Sequence, residues 1–296
     1  SVDKFPTPAR SAATALEPRV SAIVVAQRLR ATDAAKIRLD LCLRSALVET
    51  LTDELIIVDL GNDNDISSML RAFQADRRDV KLVTLERGAS AAAAANEGAK
   101  HARGRWLLFL DPDVVLQRGS VARLASAGGN ARTPCVLGGR LTDLEGRDRA
   151  GARPGALNAF SAIAVAMELP RAKRARRRRG VSATPVAAVS GAFMLMQRSD
   201  FLDLKGFDEA FVSDAADLDL CRRAADAGGS VIFHPAAAGV QFERAPRARA
   251  QAQGLALFAS KSAKTGVERA FAAIARPALT VLLALKDFVV GRPPLR

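Results

Sequence analysis

The chain has 296 residues, 49% of them hydrophobic, enough to bury one large core and a smaller appendage. Lysine and arginine outnumber aspartate and glutamate by 44 to 31; the resulting formal charge of +13 favours phosphorylated ligands, anionic lipid or nucleic acid without choosing among them. Cys42, Cys135 and Cys221 are too widely spaced for a zinc site and read as reduced thiols, and with no signal-peptide-like start and no uncharged apolar run of about 18 residues, secretion and membrane spanning are not expected.

Residues 1–18, with Pro6, Pro8 and Pro18 among small and polar residues, read as an extended or disordered lead-in, and the fold is expected to begin near Arg19. From there, apolar runs predict strands at Val20–Ala26, Glu54–Leu60, Val80–Leu85 and Arg105–Leu110, with helical patterns between them. This βαβαβαβ order implies a doubly wound α/β fold: a mostly parallel sheet, helices on both faces, and ligands at the carboxyl ends of the strands.

From about Arg140 to Thr184 the rhythm is lost. That stretch holds a run from Arg171 to Arg179 in which only Ala172 and Ala175 are uncharged, and it reads as a mobile basic loop or insertion. Order is expected to resume after Pro185, with a strand at Val186–Gln197 that contains Gly191, a helix near Ala215–Ala227 and a strand at Ser230–His234. Residues 246–296 read as C-terminal helices. The apolar stretch Phe271–Val290 is broken by Arg276, Pro277, Lys286 and Asp287, which suits a helix lying on a membrane surface or one packed on its own domain.

Two places combine carboxylates with strand ends. Asp59 closes the run from Leu55 and precedes a Gly-Asn-Asp loop, where it can accept the ring N–H of a base or simply cap the next helix. Asp111-Pro112-Asp113 follows the buried run Trp106–Leu110, and this pair suits Mg²⁺ or Mn²⁺ completed by diphosphate oxygens, or a plain turn.

The order and spacing of several motifs carry a resemblance: ELIIVD at Glu54–Asp59, ANEG at Ala95–Gly98, GRWLLFLDPD at Gly104–Asp113, VSGAFMLM at Val189–Met196, KGFD at Lys205–Asp208 and DLDLC at Asp217–Cys221. From about Val20 to Glu243 the chain resembles the family 2 inverting glycosyltransferases, particularly rhamnosyltransferase-like members. The resemblance implies a GT-A fold over residues 19–245. Residues 19–115 would form a Rossmann-like nucleotide-sugar-binding half, and residues 185–245 an acceptor half.

By that resemblance, Asp59 binds the base of a dTDP-, UDP- or GDP-sugar, and Asp111 and Asp113 hold the ribose, the metal and the diphosphate. Asn96 belongs to the donor side, Ser190, Gly191 and Ala192 line the acceptor pocket, and Asp217 is the general base. The same residue also reads as a carboxylate stabilised by a helix N-terminus, a role open to Asp214, Asp219 and Asp226 as well.

Three positions depart from the family pattern. Ala216 stands where an acidic residue usually precedes the base, QRLR at Gln27–Arg30 replaces an Asn-Tyr-Asn-like turn, and VQFE at Val240–Glu243 lacks a histidine. Arg28 or Arg30 is therefore a candidate phosphate contact. The expected protein is a bacterial transferase acting on a glycan or lipid-linked acceptor at the cytoplasmic face of the membrane, in peripheral contact with anionic lipid. The alternative is a catalytically weak accessory protein of the same fold. Nucleic acid is not expected as a partner, because the basic run lacks interleaved aromatics.

Overall fold

The computed structural model describes residues 19–149, 152–153, 157–167, 182–212, 214–242 and 248–289. The lead-in 1–18 and the Arg171–Arg179 run lie outside them.

The first half follows the expected alternation: β1 (Val20–Gln27), α1 (Asp33–Leu47), β2 (Thr52–Leu60), α2 (Asn64–Ala75), β3 (Val80–Leu85), α3 (Ala91–His101) and β4 (Trp106–Leu110). Strands β3, β2, β1 and β4 lie side by side in that order and pair parallel. In β2 every residue from Glu54 to Leu60 is buried, because both sheet faces are covered; the sequence is therefore a continuous apolar run instead of an alternating one. Successive residues still take opposite sides. Ile23, Ile56 and Val58 enter one core cluster, while Ala22, Val24, Leu55 and Ile57 enter the other.

Helices α1 and α2 cover the second face through Leu39, Leu43, Ile66 and Leu70, and α3 covers the first through Ala92, Ala95 and Ala99. Two of them start on hydroxyl caps: Thr32 accepts from the Ala35 N–H at 3.2 Å and Ser90 from the Ala93 N–H at 3.0 Å. The small residues of α3 let it lie close to the sheet. A Cβ at Gly98 would sit 2.6 Å from Ile23 Cγ2.

The second half departs from the expected layout. After β5 (Val114–Leu116) and α4 (Ser120–Gly128), a strand β6 (Cys135–Thr142) enters the central sheet. Its Gly138 and Gly139 hide it from strand propensity, yet they are needed there, since a Cβ at either would run into Val189 or Phe193. The span 140–184, expected as one loop, begins with the end of β6 and also contains β7 (Ala152–Arg153) and α5 (Ser161–Ala166).

The single strand expected at Val186–Gln197 is two, β9 (Ala188–Val189) and β10 (Phe193–Gln197), separated by a turn at Ser190–Ala192 and preceded by β8 (Thr184–Pro185). Strand β10 runs antiparallel between β4 and β6. After α6 (Arg198–Asp203) and α7 (Ala216–Asp226), β11 (Ser230–Gln241) extends well past His234. It pairs parallel with β6 and antiparallel with β5 and β8. The result is a nine-stranded, mostly parallel central sheet between two helical layers, with β7 and β9 paired apart from it.

The C-terminal helices α8 (Ala248–Ser262) and α9 (Gly266–Val289) pack on each other and on α5, burying Leu255, Phe258, Leu279 and Leu283. Among the described residues no helix is long and apolar enough to cross a membrane. The three cysteines are buried thiols, and burial pushes those of Cys135 and Cys221 up to about 12.

At the amino ends of the strands one polar group ties the layers together. The buried Glu54 carboxylate accepts from Ser21 Oγ, from the Arg103 N–H at 2.6 Å and from the Arg103 guanidinium at 3.3 Å, while Ser21 Oγ accepts from the Gly104 N–H at 2.7 Å. Burial pushes the carboxyl up, but these donors together outweigh it and hold Glu54 below the ordinary glutamate range. A depressed folded-state value adds stability above the unfolded value, and that stability is lost as pH falls through the folded one. Glu54→Gln is therefore expected to unfold at lower urea than the wild type at pH 7, with the difference shrinking as pH drops below about 4.3. Urea unfolding followed by circular dichroism at a series of pH values measures it.

Candidate functional site

The carboxyl ends of β1, β2 and β4 lie side by side, and each delivers a polar group. Asp59, opposite Ala26 in the β1–β2 ladder, is 2% exposed, and its Oδ1 accepts from Asn62 Nδ2 at 2.7 Å. The same amide donates to Ala26 O at 2.6 Å, and Asn62 Oδ1 accepts from the Leu29 N–H at 2.8 Å. Asn62 therefore fastens the loop after β1 to the end of β2. The sequence shows it only as one polar residue in a polar loop.

Arg28 adopts the left-handed region at φ 46°, a cost tolerated because its N–H donates to Leu60 O at 3.2 Å and its guanidinium to Arg87 O at 3.0 Å. Arg87 in turn reaches Asp63 at 3.2 Å and packs over Gly61, where a Cβ would lie 2.8 Å from Arg87 Cγ. Two exposed arginines thus stand beyond the strand ends, beside the buried Asp59.

The Asp111-Pro112-Asp113 turn is held by its main chain. The Asp111 N–H donates to Ala192 O at 3.0 Å, Asp111 O accepts from the Val114 N–H at 3.1 Å and Cys42 Sγ at 3.3 Å, and Asp113 O accepts from the Phe242 N–H at 2.9 Å. Gln241 and Phe242, at the end of β11, therefore abut Asp113. Both aspartates are partly buried.

Ala192 links this turn to a third carboxylate. Asp217, on the first turn of α7, accepts from the Gly191 N–H through Oδ2 and from the Leu218 N–H through Oδ1, each at 2.8 Å. A Cβ on Gly191 would press to 3.1 Å from Asp217 Cβ, so the turn approaches the helix as closely as a glycine allows. Ser190 Oγ accepts from the Ala192 N–H at 3.2 Å. Ser190 and Asp217 also line a cleft of about 140 Å³, together with Asp214 and with Gln251 and Leu255 of α8. Gln251 and Leu255 lie more than thirty residues past Asp217 in the chain, and no motif marks them. Asp59, Asp111 and Asp113 stand outside this cleft lining.

The remaining carboxylates of α7 have other partners. Asp219 is 1% exposed and holds Arg222 at 2.9 Å and Arg223 at 2.7 Å, while Asp226 meets Arg222 at 2.9 Å. Arg223 also donates to Gly206 O at 2.8 Å. That bond is one of several on the Lys205–Asp208 turn, where Lys205 and Gly206 both take positive φ, 61° and 69°.

Asn96, expected on the donor side, lies at this same turn. Its Nδ2 donates to Phe207 O and Glu209 Oε1, and its Oδ1 accepts from the Phe207 N–H, each at 2.9 Å. Asp208 is ion-paired to Lys261 of α8, whose hydrogen bond holds the Asp208 carboxyl below its usual range. His101 sits with Lys81 and Glu97, and His234 accepts from the Ala236 N–H; neither meets the site aspartates in these contacts.

Among the described residues no cluster of three or more His, Cys, Asp and Glu could hold a metal ion. The Asp111 and Asp113 pair fits a hard cation that takes one or two protein carboxylates and completes its shell with water and phosphate oxygens.

The sequence model described as Glycosyl transferase family 2 matches residues 36–204. No curated protein matches the chain. Among solved structures, "GalNAc-T7 with UDP, GalNAc and Mn2+" is similar at 16% identity and a TM-score of 0.59, over 77% of this chain but only 44% of that one. TarS of S. aureus is similar at TM-scores of 0.52 for residues 1–349 and 0.54 for a longer chain, with 13% and 12% identity. Both TarS matches cover 93% of this chain, and they span 73% and 44% of the respective TarS chains. The fold is thus of the GT-A type.

Because Asn96 makes two hydrogen bonds to the main chain of one strained turn and a third to Glu209 beyond it, Asn96→Ala is expected to destabilise the protein by about 1–3 kcal/mol through the main-chain groups it leaves unmatched. A lowered urea midpoint at unchanged slope is the readout.

Proposed function

This chain belongs to glycosyl transferase family 2, and on that premise we propose that it is an inverting glycosyltransferase. It moves a hexosyl or deoxyhexosyl group from a dTDP-, UDP- or GDP-sugar to a glycan or lipid-linked acceptor in bacterial cell-surface assembly, at the cytoplasmic face of the membrane. The observation that carries this reading is the hydrogen-bonded path from Asp111 through Ala192 and Gly191 to Asp217, which sets a carboxylate pair and a single carboxylate on two sides of one turn.

In this reading Asp59 receives the ring N–H of the base, and Asn62 keeps its carboxylate aimed there. Arg28 contacts the diphosphate, with Asn96 holding the Lys205–Asp208 turn on the donor side. Asp111 and Asp113 would hold Mg²⁺ or Mn²⁺, which when bound offsets the charge of the leaving diphosphate. Ser190, Gly191 and Ala192 line the acceptor side, and the cleft beside them admits the acceptor hydroxyl to Asp217.

Asp217 takes the hydroxyl proton as the acceptor oxygen bonds to the anomeric carbon and the bond to the diphosphate oxygen breaks, in one displacement that inverts the centre. Two backbone donors, the Gly191 and Leu218 N–H groups, orient the carboxylate.

A second reading, an accessory protein that keeps the donor site without turnover, is favoured by Ala216, which removes the acidic neighbour of Asp217. The two separate on one set of measurements. Calorimetric titration with UDP, dTDP and GDP, with and without Mn²⁺, is expected to show metal-dependent binding of one nucleotide, lost in Asp113→Ala. Asp217→Asn is expected to keep that binding while product formation falls by about 10²–10⁴-fold. Wild-type protein that binds nucleotide but forms no product with any acceptor tested leaves the accessory reading.

A further inference from the structure

Helix α9 buries one face and presents another that no described element covers. Ala275, Leu279 and Leu283 point into the core shared with α5 and α8. On the outer side Val267, Ile274, Val281, Leu285 and Phe288 are between 56% and 85% exposed. Their steps of seven, seven, four and three residues place them on one stripe, about 32 Å long at 1.5 Å per residue. Helix α5 adds Phe160, Ile163 and Met167, all exposed. It is joined to α9 by the Phe160–Phe271 ring contact at 5.2 Å and by the Lys286 Nζ bond to Ala166 O at 3.1 Å.

Among the described side chains, the exposed charges beside this face have one sign. Among the described side chains of α9 the exposed charges are Arg269 and Arg276, seven residues apart on one edge. The one described acid, Glu268, is buried and caps the Lys264 and Thr265 N–H groups at 2.8 Å. An apolar helix face edged by cations is the pattern of a helix lying at the boundary between headgroups and acyl chains of an anionic bilayer. A second copy is a poor occupant, because it would bring another net +13 and the same arginines against their like.

We propose that the outer face of α9, with the exposed residues of α5, docks on an anionic lipid bilayer with the helix in the plane of the headgroups. The purpose of that docking rests on the proposed transfer to a lipid-linked acceptor; the surface itself does not. Helix α8 packs on α9 and lines the Asp217 cleft, so docking holds the cleft about one helix layer, ~10 Å, from the headgroups. The surface stands without the Arg171–Arg179 run, which lies outside the described residues.

The test is co-sedimentation of the full chain with phosphatidylcholine vesicles, with and without phosphatidylglycerol. The wild type is expected to sediment with the anionic vesicles, and the double variant Ile274→Asp/Val281→Asp to bind them about tenfold to hundredfold more weakly. Arg269→Glu/Arg276→Glu is expected to lose the preference for phosphatidylglycerol in part. Both positions of the first variant are exposed, and an unchanged circular dichroism spectrum and nucleotide titration check that it folds. Wild-type protein that sediments with neither vesicle overturns the proposal. So does a double variant that binds as the wild type does, which would assign binding to other basic segments. A wild-type dimer in size-exclusion chromatography that the double variant breaks, without lipid binding, overturns it in favour of a second copy. Nucleotide titration of the wild type separates the two readings, since its failure would sink the transferase and leave the docking surface standing.

Discussion

Strand β10 runs against β4 and β6, the strands on either side of it, and that reversal gathers the candidate site residues at one end of the sheet. Because β10 is antiparallel, its amino end meets the carboxyl end of β4, and the residues just before it, Ser190–Ala192, arrive beside Asp111. Were β10 parallel, that turn would lie at the opposite edge, far from every strand-end carboxylate. The reversal depends on glycines. Gly138 and Gly139 let β6 accept Val189 and Phe193 at close range, and Gly191 lets the turn reach Asp217.

A second constraint lies at the Lys205–Asp208 turn, where two consecutive residues hold positive φ. The turn is fixed from three helices: Asn96 on α3, Arg223 on α7 and Lys261 on α8. These contacts give residues 205–208 and residue 96 a structural part in the fold. They keep α7, and with it Asp217, at a set distance from the sheet. Asp219, one turn before Arg223 on α7, serves the same end by holding it, and its burial separates it from the cleft-lining Asp217.

The C-terminal helices connect the cleft to the surface. Leu255 and Gln251 of α8 form one wall of the cleft, and α9 covers α8 while its own outer face stays apolar. The +13 charge, uninformative as a total, acquires a place once Arg269 and Arg276 are seen along that face and Arg28 and Arg87 beyond the strand ends.

The sequence by itself determined the first half of the fold, because βαβ units are local. Strand runs buried on both faces, hydroxyl caps and helix-length connections all act within about ten residues, and Asp59, Asp111 and Asp113 are readable simply because each ends such a run. It also carried the family resemblance, which the match over residues 36–204 bears out. It did not reveal β6, whose glycines mimic a loop, or the break at Ser190–Ala192, whose apolar flanks mimic one strand. Only the tertiary structure decided the direction of β10, the joining of Asp111 to Asp217 through Ala192 and Gly191, the part of Gln251 in the cleft, and which face of α9 no described residue covers. Each of these depends on contacts between residues tens of positions apart, where the deciding factor is steric room at a few glycines and the burial of facing surfaces, and neither is written in any local pattern.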